Sequence, residues 1–221
     1  MPKFISILLR PAKTIPSTPW SNKGSQWNFE PRSFSMLCFG LWIFGTGEAL
    51  LINSKLGVSP WTVLAEGLGN VLDIGVGVAT FLVSATVLLL WLPLKQQPGI
   101  GTIMNAIVIA VAIDVMRSII PAPTQFTLQL AEVLLGIALV GLGSAIYLTA
   151  KLGPGPRDGW MTGLHRKFGW SISRVRLGIE LSVLTAGWLL GGTVGLGTAL
   201  FAILIGWSIA VWLAVMPTAA N

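Results

Sequence analysis

The 221-residue chain is 53% hydrophobic and only 10% charged, with a mean hydropathy of +0.78. Soluble domains carry about 25% charged residues, so this composition excludes an ordinary water-soluble enzyme and points to a bilayer; ten Trp and 26 Gly agree. The net charge of +6 does not argue for nucleic acid, because most Lys and Arg residues sit in the N-terminal segment and short loops, the pattern of membrane topology.

The N-terminus, MPKFISILLRPAK, starts basic, but its apolar stretch runs only about six residues before Arg10, short of the roughly 7–15 of a secretory signal. Residues 1–33 read as a basic cytoplasmic tail, with a weak amphipathic surface anchor as the alternative for the first residues. A first span follows over residues 34–54. It holds Cys38, the single cysteine, which excludes an internal disulfide and reads as packed between Leu37 and Phe39. It also holds Glu48, deep in the apolar run.

The run is then interrupted by KLGVSPWTVLAEGL, residues 55–68. Ser59 before Pro60 is a strong helix start, since Pro at the first helical position forgoes an amide that has no partner there anyway. The helix predicted over 60–72 covers only about 20 Å, too little for hydrocarbon about 30 Å thick. Two further spans are predicted at 75–94 and 101–119. The second carries Asp114, at helical spacing to pair with Arg117.

The second half repeats the order: a span at 128–150, the interruption KLGPGPRDGWMTGL with Gly155 before Pro156, a short helix over 156–168, then spans at 172–190 and 198–216. His165 stands alone in HRKFGW, so no structural metal site is expected. Shifted by 96 residues without a gap, GTGEALLINSKLG lies over GLGSAIYLTAKLG and GIGTIMNAIVI over GLGTALFAILI, and the match extends through 40–117 against 136–213. This is an internal duplication, with one membrane repeat at 34–120 and the other at 128–216.

If the short helices do not cross, each half has three spans and the halves are inverted; if they cross, each has four and the halves are parallel. Six spans put Lys95, Lys151, Arg157, Arg166, Lys167, Arg174 and Arg176 on the side of the N-terminal tail and leave only Lys55 and Arg117 opposite, so charge bias and helix length both favour inversion. The expected fold is all-α and integral to the membrane, with six transmembrane helices in two inverted three-helix repeats, each with a broken or re-entrant half-helix. The chain is placed in the bacterial inner membrane with both termini cytoplasmic.

Inverted repeats with broken helices build transport sites near the bilayer midplane. The candidate substrate-binding residues are therefore Gly57, Ser59, Pro60, Trp61, Gly153, Gly155, Pro156, Arg157 and Asp158. If both half-helices point their N-termini inward, the two dipole ends suit an anion or carboxylate; which limb of each hairpin is helical decides this, and the sequence does not. Against this stands the plainer reading that the glycines only permit close helix packing. Glu48 and Glu180, charges within apolar spans, are candidates for a proton-coupling role, with a buried structural role as the alternative. Asp114 and Asp158 read more simply as structural, Asp158 as a first-turn partner of the helix dipole. Trp61 and Trp160 are placed to line a cavity; Trp42, Trp91, Trp188 and Trp212 read as interface or packing residues.

KLGPGPRDGWMTGLHRKFGWSISRVRLGIE, followed by GWLLGGTVGLGTALFAILIG, resembles the YczE-like integral membrane proteins of bacteria, and LGVSPWTVLAEGL with GIGTIMNAIVIAVAID matches the other half of that family's pattern. Where relatives often carry Gly-Pro-Trp-Asp, this chain has Ser59-Pro60-Trp61-Thr62, so no acidic role is assigned there. The resemblance implies a multi-pass fold and, as an expectation, transport.

The resulting expectation is a transporter or channel for a small polar, by the dipole argument anionic, solute. The alternative is a non-transporting subunit or scaffold of a membrane-bound complex, which needs no paired breaks. No residue constellation identifies catalysis, no Walker-type loop is present, and no cofactor is expected. The expected partners are the lipid bilayer, a small solute and, for homo-oligomers, a second copy of the chain; nucleic acid is not among them.

Overall fold

The computed structural model describes residues 14–219, and these contain helices and no strand. The run MPKFISILLRPAK, and with it the choice between tail and anchor, lies outside the described residues. Eight α-helices follow: α1 Pro31–Ser54, α2 Pro60–Leu72, α3 Val76–Leu89, α4 Ile100–Ile119, α5 Phe126–Ala150, α6 Pro156–Phe168, α7 Ile172–Leu189 and α8 Leu196–Val215. A short 3-10 turn, Leu92–Leu94, follows α3, and Pro93 within it stops the α-helix from continuing. α1 starts at Pro31, ahead of the expected first apolar residue, because Pro is well suited to a first helical position.

Among the described residues, five helical segments are long and apolar enough to cross a membrane: Pro31–Ser54, Val76–Leu94, Ile100–Ile119, Phe126–Ala150 and Leu196–Val215. The sixth expected span also forms a helix, α7, but Arg174, Arg176 and Glu180 within its length leave it outside that set. The two short helices have the expected bounds.

α1 and α5 cross antiparallel at the centre. Gly40 of α1 lies against Gly143 and Tyr147 of α5, and Gly47 lies against Gly136 and Val140. The helix at the end of each half packs beside the helix that begins it: Gly45 of α1 meets Ala112 of α4, and Gly141 of α5 meets Ser208 of α8. These four helices and the two breaks enclose one apolar core, including Leu37, Leu41, Leu51, Ile113, Val133 and Ile205. The short helices form a second layer with α3 and α7. α2 packs on α7 and α3, and α6 packs on α3 and α7, around a separate cluster of Trp61, Val87, Trp91, Val175, Ile179 and Val183.

The breaks dock across the halves. Leu56 O accepts from Gly197 N at 2.7 Å, and Leu152 O accepts from Gly101 N at 2.7 Å, so each break seats on the first turn of the other half's last helix. Gly57 (φ +111°) and Gly153 (φ +119°) turn the chain there. A Cβ on Gly57 would lie 2.6 Å from Gly195 N, so both the conformation and the approach require glycine.

The segment before α1, assigned by sequence to the tail, is bound to the second break. Ser21 Oγ donates to Thr149 O (2.6 Å), Asn22 N to Ala150 O (3.0 Å), Lys151 Nζ to Ser17 Oγ (2.6 Å) and Ile100 N to Gln26 O (3.1 Å).

Candidate functional site

The two half-helices are positioned by their starts. Each follows a glycine turn, each has Pro at its first position, and neither first turn is capped by a side chain. First-turn amides have no partner inside their own helix, so these two ends bring donors and positive dipole ends. Both ends open into one cavity of about 480 Å³ between the central bundle and the second layer. Its size falls within the roughly 300–1,000 Å³ of small-molecule sites.

Eight of the eleven sequence-selected residues line this cavity: Ser59, Pro60, Trp61, Gly155, Pro156, Arg157, Asp158 and Glu180. Gly57 and Gly153 do not; they shape the turns behind it. Glu48 sits one layer back, 1% exposed, with Oε2 accepting from Thr62 Oγ1 (2.8 Å) and Ser59 Oγ (3.1 Å). Its Oε1 is buried without a hydrogen-bond partner among the described residues. Ser59 thus touches both the cavity and the buried carboxylate.

Trp61 and Arg157 occupy equivalent places in the two copies and face each other, the guanidinium lying over the indole with Cζ 5.0 Å from the ring centroid. Trp160 meets Trp61 edge-on at 6.3 Å, which holds the indole's plane, although Trp160 itself is not part of the lining. Arg157 makes no hydrogen bond and no ion pair with the described residues. The cavity's anions are differently placed: Asp158 Oδ2 accepts from Tyr147 Oη at 3.2 Å, and Glu180 Oε1 is paired with Arg176 Nε at 2.9 Å.

Other ionisable groups take structural positions. Asp114 does not pair with Arg117. Its Oδ1 accepts from Gly77 N at 2.8 Å, satisfying an amide in the first turn of α3, while Arg117 Nε is buried without a hydrogen-bond partner among the described residues. Glu66 Oε2 accepts from Thr193 N at 2.9 Å and so ties α2 to the loop before α8. Trp91 is buried and donates to Pro156 O at 2.9 Å, anchoring the start of α6. Cys38 is half-buried rather than fully packed. His165 Nδ1 contacts Trp170 O. No group of His, Cys, Asp or Glu suited to a metal ion occurs among the described residues.

Sequence reasoning missed Tyr147, Asn105, Arg176, Ser144 and Phe44, all of which line the cavity. Two of them carried a usable signal. Tyr147 is the chain's single tyrosine, and Asn105 is a lone amide within an apolar span. Arg176 was weighed only as a topology charge, and Phe44 is indistinguishable from any other lipid-facing or core phenylalanine.

Residues 31–214 match a family of unknown function, DUF6198, and the chain belongs to that family. It is 44% identical over 194 residues to an uncharacterized protein of Haemophilus influenzae, covering 88% of each chain. It is 38% identical over 169 residues to the uncharacterized membrane protein YczE of Bacillus subtilis, covering 76% of this chain and 79% of that one, as the sequence motifs imply. A second Bacillus subtilis protein, the uncharacterized protein YyaS, is 29% identical over 123 residues, 54% of this chain and 61% of that one. No solved structure shows significant similarity.

Proposed function

We propose that this member of the DUF6198 family is a transporter or channel for a small polar, anionic solute, bound where its two half-helices begin. The observation that carries the reading is the shared cavity: two uncapped half-helix N-termini, from places 96 residues apart, line one space together with Arg157. A scaffold has no use for such a cavity, whereas irregular backbone at membrane depth is tolerated where it lines one.

In this reading α7 also crosses, giving six spans in two inverted halves with α2 and α6 re-entrant. The antiparallel crossing of α1 and α5 and the exchanged docking of the breaks support inversion, since both relate the halves by a two-fold rotation. Arg176 and Glu180 pair with each other beside the cavity, which makes their presence on a crossing helix tolerable. The N-terminal segment, 1–33, and both chain ends lie on the cytoplasmic side of the inner membrane. The repeats occupy 34–120 and 128–216. Glu48 is the coupling group, one hydroxyl away from the cavity through Ser59.

Two measurements test this. A cysteine placed in the loop 96–98 of a Cys38→Ser protein is expected to label from the cytoplasm; labelling from the periplasm sinks the six-span reading in favour of eight. Protein reconstituted in proteoliposomes is expected to carry anionic solutes with a pH dependence that Glu48→Gln abolishes. No flux for any anion tested would leave the scaffold reading.

A further inference from the structure

The cavity's charges are unequally provided for, and that inequality narrows the solute. Asp158 already has the Tyr147 hydroxyl, and Glu180 already has Arg176. Arg157 alone is left without an anionic partner: its Cζ lies over the Trp61 ring at 5.0 Å, and no described side chain or carbonyl accepts its N–H groups. A guanidinium held over an aromatic ring keeps its forked donors available, and that planar fork matches a planar or tetrahedral oxyanion. The uncapped first turns of α2 and α6 add donors of the same preference beside it.

Apart from Asn105 and Ser144, the rest of the wall is apolar. Phe44, Ile109, Val140, Phe201, Ile205 and Met161 face the same space, and a bare hydrated ion gains nothing from them. The charge count is also limiting. With Arg176 held by Glu180, one guanidinium without a carboxylate partner suits a single negative charge; the second charge of a dianion would meet Asp158 with no cation left to answer it.

We infer that the site binds a monovalent organic anion, a carboxylate or sulfonate with a compact apolar body, its oxyanion on Arg157 and its body against the Phe44–Phe201 wall. The inference rests on the cavity reading above and adds the class of solute. The apolar body packs on the apolar lining, and Arg157 sets both the sign and the number of charges accepted.

The experiment compares benzenesulfonate with benzenesulfonamide, benzylamine and inorganic sulfate, each titrated into the purified full-length protein with isothermal calorimetry and thermal unfolding as readouts. Benzenesulfonate is expected to bind and to raise the unfolding temperature, with the amide, the amine and sulfate each at least tenfold weaker. Arg157→Gln is expected to lower benzenesulfonate affinity at least tenfold, and Arg157→Lys to retain part of it. Equal binding of the neutral sulfonamide, stronger binding of the amine, or sulfate binding as tightly as benzenesulfonate would each overturn the proposal. So would undiminished affinity in a folded Arg157→Gln protein. The four-probe comparison in the unmodified protein decides the matter even if that variant does not fold. Benzenesulfonate binding without uptake into proteoliposomes supports this assignment while counting against transport; uptake of benzylamine with no benzenesulfonate binding does the reverse.

Discussion

Helices α2 and α6 begin at equivalent places in the two copies, each behind a glycine with positive φ and each with proline at its first position, yet their first turns carry opposite chemistry. In the first copy the carboxylate, Glu48, is on the long helix and the half-helix answers with the Ser59 and Thr62 hydroxyls. In the second copy the carboxylate, Asp158, is on the half-helix and the long helix answers with the Tyr147 hydroxyl. Ser144 stands where the first copy has Glu48, and Asp158 stands where it has Thr62. The second copy also adds Arg157 where the first has Trp61. Across the 96-residue offset the backbone that brings the two ends together is alike, while the side chains differ: one end seals a buried acid and the other offers a cation to the cavity.

The shared backbone is the part whose loss should cost most. Gly57→Leu forces a branched residue into positive φ and against the Gly195 backbone. Strain of about 1–3 kcal/mol and overpacking of about 1–3 kcal/mol act together there, and the variant is expected to lose folded yield on size-exclusion chromatography. Gly153→Leu is expected to behave alike. Gly75, with φ −61° and its nearest foreign atom 3.5 Å from an added Cβ, should tolerate a small substitution. A well-folded Gly57→Leu protein would mean the turns are not what unites the copies.

A second difference lies between the layers. Trp91 fills the space over Gly159 of α6, whereas the equivalent residue, Gly187, lets the α2 backbone approach directly at Val63 and Leu64. Trp91→Ala removes a buried indole and its bond to Pro156 O, and should cost about 3–5 kcal/mol in denaturant titration. A cost below about 1 kcal/mol would show that α6 is held by its break alone.

The exchanged carboxylates permit a sharper test. Thr62→Asp sets a second carboxylate beside Glu48 in a fully buried place and is expected to destabilise by about 3 kcal/mol, the scale of an uncompensated buried charge. Adding Glu48→Ser makes the first copy resemble the second and should recover at least half of that loss. Purely additive losses in the double variant would refute the equivalence of the two junctions.

The smallest effect concerns the N-terminal segment, which braces the second break and also bonds the start of α4. Ser21→Ala removes the hydrogen bond to Thr149 O and the acceptor of Thr18 N, and should cost about 1–2 kcal/mol, read as a small fall in unfolding temperature. No fall at all would mean that the segment adds nothing to the stability of that break.

Much of the architecture was legible along the chain. Apolar run lengths, the two Pro-led helix starts and the 96-residue offset depend on local composition and spacing, and the helix bounds of α2 and α6 came out as predicted because proline and glycine act within a turn of where they stand. The choice of Ser59, Pro60, Trp61 and Gly155–Asp158 as candidate site residues followed from the repeat and its two breaks. Their convergence on one cavity did not, since it depends on α1 and α5 crossing antiparallel and on each break seating against the opposite half.

Charge partnerships were equally hidden. Spacing suggested Asp114 with Arg117, but an unpartnered amide of α3 arrives nearer in space and takes the carboxylate. Arg176 stands at helical spacing to Glu180, but it reads only as a topology charge until α7 turns the pair toward the cavity. By itself, then, the sequence determined where the chain is apolar, where it must break and that it does so twice. Only the tertiary structure decided which broken ends face each other, which charges are already satisfied and which guanidinium is left over, because those depend on contacts between residues far apart in the chain, which local composition and spacing do not encode.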